Sequence, residues 1–495
     1  MKTDEWKSRY GFLLAAIGSS VGLGNIWRFP YIAYENGGGV FLIIYFFALL
    51  TAGIPILILE FSLGHKFKGS APLTFARINK KLEWLGWWQV LISLIISIYY
   101  SAVIAWAIAY FVFSFDLQWG VNTIDFFLHD FLGITESPLT LGSLRINVLF
   151  SIFIVWLITY FILNSGIKKG IEVANKFLMP LLFVTMIIIM FRSIFLPGSY
   201  IGLNFLFTPD FSKILDVSAW VDAYGQVFFS LSVAFAIMIT YSSYLPKKSD
   251  IINNAFITGF MDACFALISA IAIFSIVGFM TYNAGGEVPK NLQGVFLAFA
   301  TIPKAINQMP FMPSLIGALF FLTVISAGIT SEISITEAVV SSIINKLHRP
   351  RKEIVLIYCI FGFIVSILFA TGGGLFILDI VDHFVNNYGI VCTGLVEVAA
   401  LSWFFDLNIL KDHANNISDF KINNIWNILI KFVTPIILLC ILTLNIYKDI
   451  RIPYGGYSVK ALTYLGWSTA LLIFILSFLI SKIKWYDKEI LKGLK

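Results

Sequence analysis

The chain has 495 residues, of which 59% are hydrophobic and only 13% charged, with a mean hydropathy of +0.87. So few charges cannot cover the surface of a soluble protein of this size, which excludes a soluble globular domain and makes the chain an integral membrane protein. The net charge of +6 therefore reflects basic loops at a membrane face and not a nucleic-acid partner. Cys264, Cys359, Cys392 and Cys440 each fall inside an apolar segment, so they read as packing residues with no disulfide framework and no metal spacing.

Taken in chain order, apolar stretches of about 20 residues predict an all-α fold of twelve transmembrane helices, near residues 10–35, 40–66, 87–115, 147–163, 173–196, 219–245, 250–283, 313–345, 353–371, 374–405, 424–446 and 460–483. The first stretch is too long for a signal-peptide core and has no small-residue cleavage site, so it is expected to be retained. Lys and Arg gather at alternate connections: Lys2, Lys7 and Arg9; Lys66, Lys68, Arg77, Lys80 and Lys81; Lys168 and Lys169; Lys247 and Lys248; Lys346, Arg349, Arg351 and Lys352; and the tail after Lys482. The positive-inside rule then puts both termini in the cytoplasm. Residues 118–144 and 283–312 become the large external loops, with a short surface helix expected over 290–306.

Two predicted spans are interrupted. Residues 18–30 read G-S-S-V-G-L-G-N-I-W-R-F-P, with three glycines and two serines in the first seven positions. Each glycine costs roughly 1 kcal/mol in a helix interior, so the helix should break there. Freed backbone groups at membrane depth are tolerated only against protein, water or a ligand. Five helices later, residues 224–244 carry Ser230 and Ser232 in the middle of an aromatic run. Gly/Ser packing alone would account for either segment. Interruptions at matching places in two halves point instead to a transporter's midplane site. Five being odd, the halves form an inverted repeat: helices 1–5 (residues 1–200), helices 6–10 (201–410), and two further helices with a cytoplasmic tail (411–495).

Residues 18–30, followed by E-N-G-G-G at 35–39, resemble the neurotransmitter:sodium symporter family and, within it, the bacterial amino-acid transporters that include the leucine transporter. The resemblance covers helices 1–10. It implies one sodium ion held by Ser20, Asn25, Ser230 and a helix-7 position that falls on Asp262, where many relatives carry Asn. It implies a second held by carbonyls of Gly18, Val21 and Ala327 with the hydroxyls of Thr330 and Ser331. Sodium as a hard cation wants such oxygen ligands. Asp262 supplies the fixed negative charge that chloride supplies in animal relatives, so chloride independence is expected.

Amine-transporting relatives carry an Asp where this chain has Gly22, which implies a substrate bringing its own carboxylate: an L-amino acid. Its carboxylate is expected at the N–H groups near Leu23 and Gly24 with the Tyr100 hydroxyl, and its amino group at carbonyls near Ser20, Phe229 and Ser230. The side chain falls among Ile96, Phe229, Ser232, Phe235, Ser331 and Ile335. Glu332 borders that end, and it either receives the amine of a lysine-like substrate or pairs within the scaffold, leaving a medium-to-large apolar or aromatic side chain as the other option. Glu60 and Glu397 receive no functional role and are expected to satisfy backbone groups or pair structurally.

By the same resemblance Arg28 and Asp382 form the outer gate, with Phe229 as the inner lid and Gln226 beside it. Trp6 and Tyr244 remain at the cytoplasmic gate, but the family's Arg–Asp pair there is replaced by Thr3 and Asn345, which implies a hydrogen-bonded closure helped by Lys2. The expected function is sodium-coupled symport across the inner (plasma) membrane by alternating access, with proton coupling as the alternative because Asp262 and Glu332 both titrate. A lid and an ion-pair gate argue against a channel. No nucleophile–base pair, metal spacing or phosphate loop supports an enzyme, and the five histidines are scattered.

Overall fold

The computed structural model describes residues 5–288, 294–487 and 489–492, and among them the chain is built from helices. In chain order, α1 (Arg9–Ser20) and α2 (Gly24–Glu35) form a pair bent by 52°, followed by the long α3 (Gly39–Phe67). A short α4 (Ala71–Ile78) leads to α5 (Lys80–Phe113), α6 (Ile146–Asn164) and α7 (Ile167–Ile194). Then come α8 (Ser199–Phe207), α9 (Val217–Ser230), α10 (Ile237–Ser243) and α11 (Ile251–Asn283). The rest is α12 (Gly294–Asn307), α13 (Pro313–Leu347), α14 (Arg351–Ala370), α15 (Gly374–Trp403), α16 (Leu407–Ile417), α17 (Asn424–Gly456) and α18 (Val459–Lys482). Ten of these are long and apolar enough to cross a membrane, or eleven if the bent pair counts as one span, among the described residues.

Local chemistry sets the ends. The Ser8 side chain caps α1 by accepting from the Gly11 N–H, and Asp250 and Asp216 cap α11 and α9 in the same way. α5 and α7 start six or seven residues before their expected positions, because Lys80–Leu82 and Ile167–Ile171 wind into the adjoining helices. Of the helix expected over 290–306, the first four residues lie outside the described ones. The remainder is α12, and it is not a surface helix: Leu297, Phe299 and Ile302 are buried, and the Phe299 ring stacks on Phe127 with centroids 5.4 Å apart. Phe299 of α12 and Phe127 in the 118–144 segment cover each other from water, so this segment folds inward.

The centre of the molecule is α13 packed along α5 and α7, with α1 set against α7, α11 and α13. Outward-facing Leu471, Leu472 and Ile475 on α18 and Phe150 and Phe153 on α6 are exposed, which suits lipid and not water.

α9 stops at Ser230 and α10 begins at Ile237. Between them Ser232, Ala234 and Ala236 have φ of 55°, 67° and 70°. Such backbone costs an L-residue about 1–2 kcal/mol each, so it persists only where neighbours over-determine it. They do. The Ala234 N–H donates to Glu60 Oε1 at 2.6 Å, and its carbonyl accepts from Thr393 Oγ1 at 2.9 Å. The Phe235 carbonyl accepts from Ser93 Oγ at 2.6 Å. Three different elements, α3, α5 and α15, thus hold one six-residue interruption at residues 231–236.

Candidate functional site

The two interruptions face each other and are stitched together. Ser232 Oγ donates to the Ser19 carbonyl at 2.8 Å, and Ser20 Oγ lies 3.5 Å from the Leu231 carbonyl. Asn25, one residue into α2, is buried and donates through Nδ2 to Asp262 Oδ1 at 2.8 Å and to Ser230 Oγ at 3.0 Å. Ser230 Oγ sits 2.7 Å from both Asp262 oxygens, and the Tyr45 hydroxyl reaches Oδ2 at 3.4 Å. Ser230, Asn25 and Asp262, expected as one cation set, therefore converge. Asn25 Oδ1 is turned toward the Gly22 N–H at 3.1 Å. Rotating that amide about its last bond exchanges a donor for an acceptor at the carboxylate, which an oxygen-coordinated cation requires.

The second expected set also converges. Ser331 Oγ stands 3.5 Å from the Gly18 carbonyl, and Thr330 Oγ1 lies 3.0 Å from the Ala327 carbonyl. Val21, at the end of α1, has its backbone out of helical geometry with ψ of 89°. A Cβ on Gly18 would come 2.5 Å from Asn175 Oδ1 and 2.9 Å from Met179 Sδ on α7, and 3.2 Å from Thr330 Cβ on α13, so glycine lets α1 nest this closely between them.

Between the two sets, the Leu23 N–H points to the Tyr100 hydroxyl at 3.4 Å. A Cβ on Gly22 would meet Ser331 Oγ at 3.2 Å and the Tyr100 hydroxyl at 3.5 Å, and one on Gly24 would meet Phe229 Cε1 at 2.5 Å. Ile96, Phe235 and Ile335 are buried with Ser232 and Ser331. Glu332 is fully buried; Oε1 accepts from Thr336 Oγ1 at 3.1 Å, and Oε2 has no hydrogen-bond partner.

The two residues expected at the outer gate lie within electrostatic reach of one another without touching. Arg28 and Asp382 do not approach within 4 Å. The Arg28 guanidinium lies over the Phe229 ring, 4.7 Å from its centroid, and Asp382 accepts from Asn386 Nδ2 at 2.8 Å. Arg28 thus rests on an aromatic face, while Asp382 is met by the Asn386 amide one turn along α15 and by the Tyr99 hydroxyl. Gln226, a turn before Ser230, is buried with neither amide atom bonded.

At the other end, the Trp6 N–H donates to the Tyr244 carbonyl at 3.0 Å, and its indole donates to the Tyr241 carbonyl at 2.9 Å. Thr3 and Lys2 lie outside the described residues. Asn345 is held by Ser70, whose N–H and Oγ both donate to Oδ1 at 3.1 Å. The charge at this gate comes from residues the sequence reading passed over. Buried Glu337 accepts from the Tyr244 hydroxyl at 2.7 Å and forms a two-pronged ion pair with Arg351. The available signal was a second carboxylate, five residues after Glu332, on an otherwise apolar helix. Glu60 and Glu397 are likewise placed: the former caps the Ala234 N–H, and the latter accepts from Gln89 Nε2 at 2.7 Å.

Comparison with known proteins agrees with this arrangement. The family model described as the sodium:neurotransmitter symporter family matches residues 3–488. The chain belongs to that family. Among curated relatives, it is 39% identical to an uncharacterized sodium-dependent transporter of Methanocaldococcus jannaschii over 98% of both chains. It is 29% identical to the sodium- and chloride-dependent glycine transporter 2 of Xenopus laevis, covering 93% of this chain and 67% of that one. It is also 29% identical to the sodium-dependent dopamine transporter of Bos taurus, covering 94% and 72%. Members of the sodium:neurotransmitter symporter family are multi-pass, sodium-dependent membrane transporters and not enzymes, so the protein uses sodium.

Proposed function

We propose that the protein imports an L-amino acid together with sodium by alternating access. In this reading twelve helices span the plasma membrane with both termini in the cytoplasm, the first ten forming an inverted repeat of residues 1–200 and 201–410. One sodium ion binds at Ser20, Asn25, Ser230 and Asp262, and a second at Gly18, Val21, Ala327, Thr330 and Ser331. The observation that carries the reading is the convergence of Asn25, Ser230 and Asp262 where two broken helices meet. Oxygen donors there serve a hard cation. The Leu23 and Gly24 N–H groups and the Tyr100 hydroxyl take the substrate carboxylate at the positive end of α2. Because Asp262 already supplies the anion, transport does not need chloride. Each ligand stabilises the state that binds it better, and that difference is the coupling.

Thermal stabilisation of the purified protein across the twenty amino acids, in sodium and then in potassium, tests this. Stabilisation by an amino acid only in sodium is the expected result, and stabilisation indifferent to sodium overturns it. The second reading is proton coupling, supported by the complete burial of Asp262 and Glu332. Uptake into proteoliposomes driven by a pH gradient without sodium would establish it.

A further inference from the structure

Resting on the amino-acid symport reading, we infer that the substrate's side chain ends in an ammonium group, as in lysine or ornithine, and that Glu332 is the residue that receives it.

Three other buried carboxylates in this protein are well supplied. Glu83 accepts from Trp87 and Trp485 and pairs with Lys346. Glu172 takes Lys176, Ser8 and the Lys7 N–H, while Glu337 takes Arg351 and Tyr244. Glu60 and Glu397 have one donor and one unbonded oxygen each, but they hold the α9–α10 interruption and Gln89, with no tie to the candidate pocket. Glu332 has only the Thr336 hydroxyl, and its Oε2 has nothing. A carboxylate with one donor and no solvent is expensive in a membrane interior unless a cation reaches it. Nor do neighbouring hydroxyls offer a proton to spare: Tyr358, within electrostatic reach, is engaged with Ser97 at 2.5 Å.

The Glu332 carboxylate lies within electrostatic reach of Tyr100, whose hydroxyl meets the Leu23 N–H at the α1 break, which puts it beside the candidate pocket. The apolar residues Ile96, Phe235 and Ile335 suit a methylene stem. A single free oxygen suits a compact ammonium better than the planar fork of a guanidinium, which wants two.

Binding of L-lysine, L-ornithine, L-norleucine and Nε-acetyl-L-lysine to the full-length protein in sodium tests the assignment. Lysine or ornithine is expected to bind more tightly than norleucine or acetyl-lysine, on the order of a hundredfold. Glu332→Gln should abolish or invert that preference while leaving the sodium requirement. Should the variant not fold, the four-ligand series on the unmodified protein decides alone. Norleucine equal to or better than lysine overturns the assignment but leaves amino-acid symport standing. Absence of any sodium-dependent response to all twenty amino acids removes both.

Discussion

A single hydroxyl bridges a buried carboxylate: Ser230 Oγ lies 2.7 Å from each oxygen of Asp262. One hydroxyl donates one proton, so the two contacts share it, and Asn25 Nδ2 and the Tyr45 hydroxyl are the carboxylate's other donors. In the proposed sodium site the Asp262 charge attracts the cation directly. Asp262→Asn keeps the shape and removes the charge. Sodium affinity should fall on the order of tenfold or more, and residual uptake should become chloride-sensitive, measured by exchanging chloride for gluconate. Unchanged sodium affinity with continued indifference to chloride would remove Asp262 from the cation site.

The interruption between α9 and α10 is held by distant side chains, which gives a stability prediction. Glu60→Ala strands the buried Ala234 N–H now bonded at 2.6 Å. An orphaned buried donor costs about 1–3 kcal/mol, so the melting temperature in detergent should fall by several degrees. Ser93→Ala should cost less, because the Phe235 carbonyl has a second lone pair and no charge is involved. Equal melting curves for wild type and Glu60→Ala would mean that the backbone there is held otherwise.

That contrast explains what was legible in advance. The first break is written in its own residues, since Gly18, Gly22 and Gly24 each sit where a Cβ would strike a neighbour. The second was visible only as Ser230 and Ser232. Its left-handed residues include Ala234 and Ala236, and alanine carries no mark of that geometry. Its supports, Glu60 and Thr393, lie some 160 to 175 positions away in sequence. The inner closure was hidden for the same reason. Glu337 and Arg351 sit on different helices joined at residues 348–350, and only folding brings Tyr244 to them. The outer pair, Arg28 and Asp382, was legible as two residues, but not their surroundings: the Phe229 ring under Arg28 and the Asn386 amide at Asp382 come from other parts of the fold and from the next turn.

The Glu337–Arg351 pair predicts what restrains the Trp6 end of α1. Glu337 is fully buried, and Arg351 shows 18% of its side chain to solvent. Arg351→Met leaves a buried charge without its partner, a loss of roughly 3–5 kcal/mol when the pair is well desolvated. The Tyr244 carbonyl that holds Trp6 is on the same residue as the hydroxyl that Glu337 accepts. Backbone amides near Trp6 and through α1 should therefore exchange hydrogen faster in Arg351→Met. The double variant Glu337→Gln/Arg351→Met should recover most of the protection. Exchange unaltered in the single variant would mean that the pair does not restrain α1.

A histidine pair gives the protein an acid-sensitive joint between α3 and α16. His65 Nε2 lies 2.8 Å from the Pro246 carbonyl, and His65 Nδ1 lies 2.9 Å from His413 Nε2. A carbonyl only accepts, so His65 carries its proton on Nε2, and the His413 Nε2–H donates to His65 Nδ1. Protonating His65 Nδ1 would set two N–H groups against each other, so the bond needs a neutral His65, and a charge on His413 is opposed by its burial beside Lys66 and Lys68. Burial, followed by His65, Lys66 and Lys68, pushes the His413 imidazole down to about 4 from the ordinary 6.5. Between those values the unfolded chain binds more protons than the folded one, so stability rises with pH across that window and is flat above it. Melting temperatures should accordingly decline from near pH 6.5 toward pH 4, after allowance for partial exposure of the ring. His413→Asn should be less stable near neutrality yet lose less on acidification, so that the two curves converge. A variant curve parallel to the wild type from pH 7 to pH 4 would place the acid sensitivity elsewhere.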